Sequence, residues 1–146
     1  MAFSETVASA YVACLKAIPT IRRLDDVKEF RDMAMGLVQA ARQRKNLVAE
    51  RQCVEIRIRC ERRWGELYRV SDKAKGTRGQ LVSRGVIGAR KGRQPATPAL
   101  ADMGVSHAQS ARWQALAHLS DDEFELALSR RLGRCGGQPH ALNFMA

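Results

Sequence analysis

The chain has 146 residues, 45% apolar but only 5% aromatic, with a formal net charge of +10. That length holds one ordinary domain or two very small ones, and no run approaches the ~20 apolar residues that a membrane span needs. So large a positive surplus in so small a protein points to a polyanionic partner, nucleic acid ahead of acidic membrane or acidic protein.

Ala, Leu, Arg, Glu and Gln dominate and β-branched runs are scarce, so the expected class is all-α. Ser4 reads as the N-cap of a first helix over 4–18, with Glu5 in its first turn. Val7, Ala10, Tyr11, Cys14 and Ile18 form its apolar stripe, and Pro19 stops it. Asp25 and Asp26 signal a second start, where Asp26-x-x-Glu29 resembles an acidic capping pattern ahead of Phe30, Met33 and Leu37. From there to about Asp72 no proline occurs, so one long helix or two near-continuous ones are expected.

In the second half of that stretch Ala49, Cys53, Ile56, Cys60, Trp64 and Leu67 recur at steps of three and four. Leu47, Val54 and Ile58 lie beside them. So wide an apolar arc suits packing between helices or against a second subunit. Residues 4–72 therefore read as a helical bundle or coiled-coil-like platform, and a homodimer is one arrangement it allows. The opposite surface carries Arg42, Arg44, Lys45, Arg51, Arg57, Arg59, Arg62 and Arg63 against Glu50, Glu55, Glu61 and Glu66. A solvated, salt-bridged face, with Glu55–Arg59 as a favourable i,i+4 pair, accounts for most of these charges and leaves a positive excess.

Residues 73–96 break all periodicity. Between Lys73 and Arg93 stand seven positive charges and no acid. The glycines fit neither G-x-x-x-x-G-K-[ST] nor G-x-G-x-x-G, which excludes a nucleotide-phosphate cradle of either kind. Glycine at this density is costly to order, so the segment reads as a flexible basic linker. Each phosphate that a Lys or Arg neutralises releases counterions, which makes such an arm a salt-sensitive, sequence-independent binder. Arg78, Arg84, Arg90, Lys91 and Arg93 are its candidate phosphate contacts.

The next segment, 97–133, is sharply punctuated. Thr97-Pro98 is an N-cap with proline at the first helical position, opening "ALADM". Gly104 suits a left-handed helix terminus, Ser106-x-x-Gln109 is a capping box, and Ser120-x-x-Glu123 is another. Gly133 ends that helix, and 134–146 reads as an irregular tail. Leu100 to Leu116 thus matches a helix-turn-helix: short helix, glycine turn, Val105 at the corner, and Ser106 capping a second helix whose first turn presents N–H groups to DNA. A wheel drawn from Trp113 puts Val105, Gln109, Leu116 and Ala117 inward and His107, Ala111, Gln114, Ala115 and His118 outward. Candidate groove contacts are Ser106, His107, Arg112 and Gln114, although Ser110 stands where such motifs usually place an apolar residue, and an ordinary helical hairpin is the alternative.

Catalysis, cofactors and metals find little support. His107, His118 and His140 have no nucleophile–base–acid set around them, and Asp121-Asp122-Glu123 is a helix start where anions offset the macrodipole. Cys14, Cys53, Cys60 and Cys135 form no C-x-x-C, and Cys135 with His140 would supply only half a metal site. The first residues carry Glu5 and no positive n-region, a poor secretory signal, so the expected setting is cytoplasmic with reduced thiols.

The order "VEIRIRCERRWGEL", "AKGTRGQL", "GVIGA" and "TPALADMGVSHAQSARWQALAHLSDDEFE" resembles a family of small proteins encoded by bacteriophages, prophages and mobile elements. The likeness runs roughly from Ala41 to Leu128, with Cys60 and Trp64 standing where its members usually carry Ala and a Leu-like residue. Modules of this kind also occur fused to ParB-like nuclease or adenine-methyltransferase domains. The resemblance therefore implies a DNA-associated, mobile-element setting. This chain lacks D-P-P-[YW] and any ParB-type sequence, so it reads as the accessory module alone. The expectation is a non-enzymatic protein that binds duplex DNA, with regulation as one role. Half-sites for a symmetric dimer would then lie about one helical turn, ~34 Å, apart. A phage-encoded antagonist of a host enzyme, such as an anti-CRISPR, and an RNA-binding protein are the competing readings.

Overall fold

The computed structural model describes residues 2–71 and 98–135, with side chains from Ser9 onward. Arg78, Arg84, Arg90, Lys91, Arg93, Thr97 and His140 lie outside the described residues. Among the described residues five α-helices follow one another: α1 Ala2–Ala17, α2 Leu24–Gln43, α3 Leu47–Val70, α4 His107–His118 and α5 Asp121–Leu132. A 3-10 turn, Ile18–Thr20, follows α1, and no strand occurs among the described residues. The protein is all-α, as its composition implies.

The stretch from Asp25 to Asp72 is two helices, broken at Arg44–Asn46. The Asn46 N–H donates to the Ala41 carbonyl at 3.0 Å and the Lys45 N–H to that of Arg42 at 3.0 Å. That double closure puts Lys45 in the left-handed region, φ 53°, where glycine is the usual residue. Asn46 then caps α3 by accepting the Ala49 N–H at 3.1 Å. Arg42 meets Glu50 close to this turn and Arg31 meets Glu61 farther from it, so α2 and α3 run antiparallel.

Three local expectations are corrected. α1 begins at Ala2, so Ser4 lies inside the helix and does not cap it. α2 begins at Leu24 after an extended Arg23 with no side-chain cap; Asp25 and Asp26 sit in its first turn, where their charge offsets the helix dipole. The buried face of α2 is Val27, Ala34, Val38 and Ala41, while Met33 and Leu37 are exposed. The antiparallel helix needs small and β-branched side chains for close approach, and it turns the longer ones outward.

α3 is the hub. From Gln52 to Tyr68 none of its residues is exposed, because α1, α2, α4 and α5 pack around it. Arg57, Arg59, Arg62 and Arg63 therefore form no solvated face, whereas Arg42, Arg44, Lys45 and Arg51 are exposed as expected. One core cluster joins Ile18, Val27, Cys60 and Trp64 to Val105 and Trp113, and a second joins Val38, Val54 and Ile58 to Phe124, Leu128 and Cys135. Segment 97–133 thus shares both cores with the 4–72 platform. Trp64, fully buried, stacks on Tyr68 with centroids 4.7 Å apart and meets Trp113 edge-on at 5.1 Å. Such aromatic pairs add about 0.5–1.5 kcal/mol each beyond the area they bury.

Candidate nucleic-acid interface and an arginine cleft

The segment read as the first helix of a helix-turn-helix is a single turn. Leu100–Gly104 has turn geometry, closed when the Val105 N–H reaches the Leu100 carbonyl at 3.0 Å and the Gly104 N–H that of Ala101 at 3.1 Å. Gly104 takes φ 70°, the left-handed conformation this closure demands. Val105 is buried against Trp113, and Ser106 opens α4. Its capping box is complete: the Ser106 hydroxyl accepts the Gln109 N–H at 3.1 Å, and the Gln109 side chain accepts the Ser106 N–H at 3.0 Å. A second box, Ser120 with Glu123, opens α5, and its hydrogen bonds hold the Glu123 carboxyl below the usual carboxylate range.

The four described candidate residues fare differently. His107 and Arg112 are exposed on the outer side of α4 together with Ala111, Ala115 and His118. The Ser106 hydroxyl is occupied as a cap. Gln114, expected outward, is half-buried, and its amide donates to the Ser110 hydroxyl at 2.9 Å. Ser110 itself is 2% exposed. A polar pair, one turn apart, thus fills the place where an apolar residue is usual, each partner satisfying the other. Gln114 is withdrawn from the outward face.

Two groups of basic side chains differ in their pairing. On α3, Arg59 forks onto Glu125 at 2.8 and 3.1 Å and also reaches Glu55 at 2.9 Å. Arg62 bonds Asp121 at 2.8 Å and the Leu119 carbonyl at 3.1 Å, with its guanidinium 4.4 Å from the Phe124 ring centre. Arg63 bonds the Ile21 carbonyl and Glu66, both at 3.1 Å. These arginines staple α5 and the α1–α2 connection to the hub. The α5 acids they use, Asp121 and Glu125, lie in its first half, so its C-terminal half is left basic. Arg112 on α4, with Arg130, Arg131 and Arg134 at the end of α5, is exposed and has no carboxylate partner among the described residues. The run "SRRLGR" carried this signal in the sequence, where it read only as a helix end.

Between these groups α2, α3, α4 and α5 enclose an open cleft of about 530 Å³. Arg31, Arg57, Arg112 and Arg131 line it with one acid, Glu61. Arg31 is committed: it bonds Glu61 at 3.1 Å and Asp32 at 2.9 Å and lies over the Trp113 ring at 5.2 Å. Burial pulls the Arg31 guanidinium down, yet these carboxylate bonds outweigh it and leave it above its ordinary value. Arg57 has only the same Glu61 Oε1 that Arg31 holds, 3.8 Å from its Nε, which is too long for a hydrogen bond. That Nε is buried without a partner. Burial pushes the Arg57 guanidinium below its usual value; Glu61 resists, while Arg31, Arg131 and Arg42 add to the fall.

Cys135 belongs to the second core cluster, its thiol directed at the Arg131 carbonyl at 3.8 Å. Burial raises the Cys60 thiol to about 12, so it is a core residue and no nucleophile. No described helix is long and apolar enough to cross a membrane. No protein-family model, curated protein or solved structure matches the chain significantly.

Proposed function

We propose that the protein is a non-enzymatic binder of duplex DNA, acting as an accessory or regulatory protein of a phage or mobile element. One observation carries this reading. Ion pairing commits Arg59, Arg62 and Arg63 of α3, whereas Arg112 on α4 and Arg130, Arg131 and Arg134 at the end of α5 have no carboxylate partner among the described residues. Part of the unpaired charge therefore lies on the two helices that follow the acid-free basic linker. Arg112 and His107 are the base-edge or phosphate contacts of α4. Ser106 acts through the helix start that it caps, and Gln114 drops out as a reader because Ser110 holds it. Arg78, Arg84, Arg90, Lys91 and Arg93 add phosphate contacts from the linker. This charge distribution favours duplex DNA over single strands, since no exposed aromatic stacking platform accompanies it among the described residues.

The test is a gel shift on duplex DNA, single-stranded DNA and RNA at about 50–100 mM salt, where phosphate-driven binding is strong. Wild type should bind duplex, with affinity falling steeply as salt rises. Converting Arg84, Arg90, Lys91 and Arg93 to Gln should weaken binding at least tenfold, and Arg130→Gln with Arg131→Gln should weaken it further. Absence of binding to all three polymers overturns the proposal, and a preference for RNA replaces the partner.

A further inference from the structure

The duplex reading does not account for the interior of the cleft, where the unsatisfied group is Arg57 and not a surface arginine. An arginine set among other arginines is a costly arrangement unless an anion completes it. The one carboxylate present, Glu61, is already bonded to Arg31 at 3.1 Å and stands 3.8 Å from Arg57. The Arg57 side chain is 21% exposed, so it opens on the cleft while its Nε stays buried without an acceptor. Arg112 on α4 and Arg131 on α5 flank it with no carboxylate of their own among the described residues. Arginines from three helices thus line one space whose carboxylate, Glu61, is already bonded to Arg31.

The remaining lining limits the ligand. Ile58, Leu116 and Phe124 give the cleft an apolar floor, and Ala115 and Ala127 leave its rim low. A bare inorganic ion needs no such floor. A volume of about 530 Å³ fits a small organic molecule, within the ~300–1,000 Å³ typical of ligand sites. Guanidinium forks match the oxygens of a phosphate monoester in pairs, and the monoester's double charge answers three cations better than a single carboxylate does.

We propose that this cleft binds a phosphate monoester of nucleotide size, with the phosphate on Arg57, Arg112 and Arg131 and the organic part on the apolar floor. Two sources supply that chemistry, a free mononucleotide and the 5′-phosphorylated end of a nucleic-acid strand. The site rests on the cleft alone and does not require duplex binding through the linker.

Calorimetric titration of the full chain with AMP, adenosine and inorganic phosphate tests it. AMP should bind at least tenfold more tightly than either of the others, because each supplies only half of the recognition. Arg57→Met should reduce AMP affinity at least tenfold. Arg112→Gln with Arg131→Gln changes only exposed positions, so the fold is kept even if the Arg57 variant is unstable, and it should cause a loss of similar size. Displacement of AMP by a 5′-phosphorylated oligonucleotide but not by its 5′-hydroxyl counterpart assigns the strand end as the ligand. Indifference to both oligonucleotides assigns the free nucleotide, and either result supports the site. No AMP binding at millimolar concentration, equal binding of AMP and adenosine, or full binding by the double variant overturns it. Duplex gel shifts on the same proteins keep the two proposals apart, since AMP titration contains no duplex.

Discussion

Gly65 of α3 and Trp113 of α4 meet backbone to backbone. A Cβ placed on Gly65 would lie 2.6 Å from the Trp113 carbonyl carbon and 3.0 Å from the Gln114 nitrogen, closer than side-chain carbons come to other atoms. The glycine is what lets α4 lie against the hub and sets Trp113 edge-on to Trp64. In an isolated helix Gly65→Ala would gain roughly 1 kcal/mol of propensity. Here the methyl group would collide with main chain that cannot rotate away, and overpacking of this kind costs about 1–3 kcal/mol or more. The variant should therefore melt lower than wild type. A chemical-denaturation curve in which Gly65→Ala is as stable as wild type would show that the helices do not cross there.

Attachment of α5 separates two kinds of force. Phe124 is 1% exposed, and the guanidiniums of Arg62 and Arg59 lie 4.4 and 5.7 Å from its ring centre. Phe124→Ala removes core volume and both cation–π contacts, a loss of about 3–5 kcal/mol. The Glu125 carboxylate is 54% exposed, so Glu125→Ala should cost under about 1 kcal/mol, with a difference that shrinks as salt is added. Denaturation of both variants at low and high salt checks the ranking. If the two losses are equal, ion pairing rather than burial holds α5.

Much of this arrangement was legible because its signals are local. The capping boxes Ser106–Gln109 and Ser120–Glu123, the left-handed Gly104 and the all-α class follow from side chains acting within one turn of themselves. What the sequence hid is set by partners distant in the chain. Met33 and Leu37 look like a core stripe until the antiparallel α3 selects Ala34 and Val38 in their place. Arg59 and Arg62 look like solvent-facing charges until α5 brings Asp121 and Glu125 onto them. The exposed place of Arg112 on α4 was legible, but that it lines one cleft with Arg57 and Arg131 needed the fold. Gly65 gave no hint beyond being a glycine inside a helix.

Alkaline pH should loosen the fold in a defined window. Burial, followed by the hydrogen bond that its hydroxyl donates to Glu55, raises Tyr11 from 10.0 to about 12; burial also raises Cys60 from 9.0 to about 12. Both groups bind their protons more tightly folded than unfolded. Their contribution is complete below pH 9 and is lost as pH climbs from there towards 12. Denaturation midpoints measured from pH 8 to 11 should fall above pH 9, and Tyr11→Phe should flatten the part of the slope above pH 10. A wild-type profile with no decline across that range would contradict the burial of both groups.

Lys45 offers the opposite sign. Its φ of 53° is imposed by the closure of α2 onto the Asn46 cap, since the Asn46 N–H must reach the Ala41 carbonyl. A side chain in that conformation costs about 1–2 kcal/mol, and glycine avoids the cost but loses more chain entropy on folding. Lys45→Gly should therefore stabilise the protein by roughly 0.5–1 kcal/mol, and Lys45→Val, whose branched Cβ is least tolerant of positive φ, should destabilise it. Lys45 lies outside the cleft lining, so AMP affinity should be unchanged in both variants. Thermal melts that rank valine at or above glycine would mean that the α2–α3 turn closes differently.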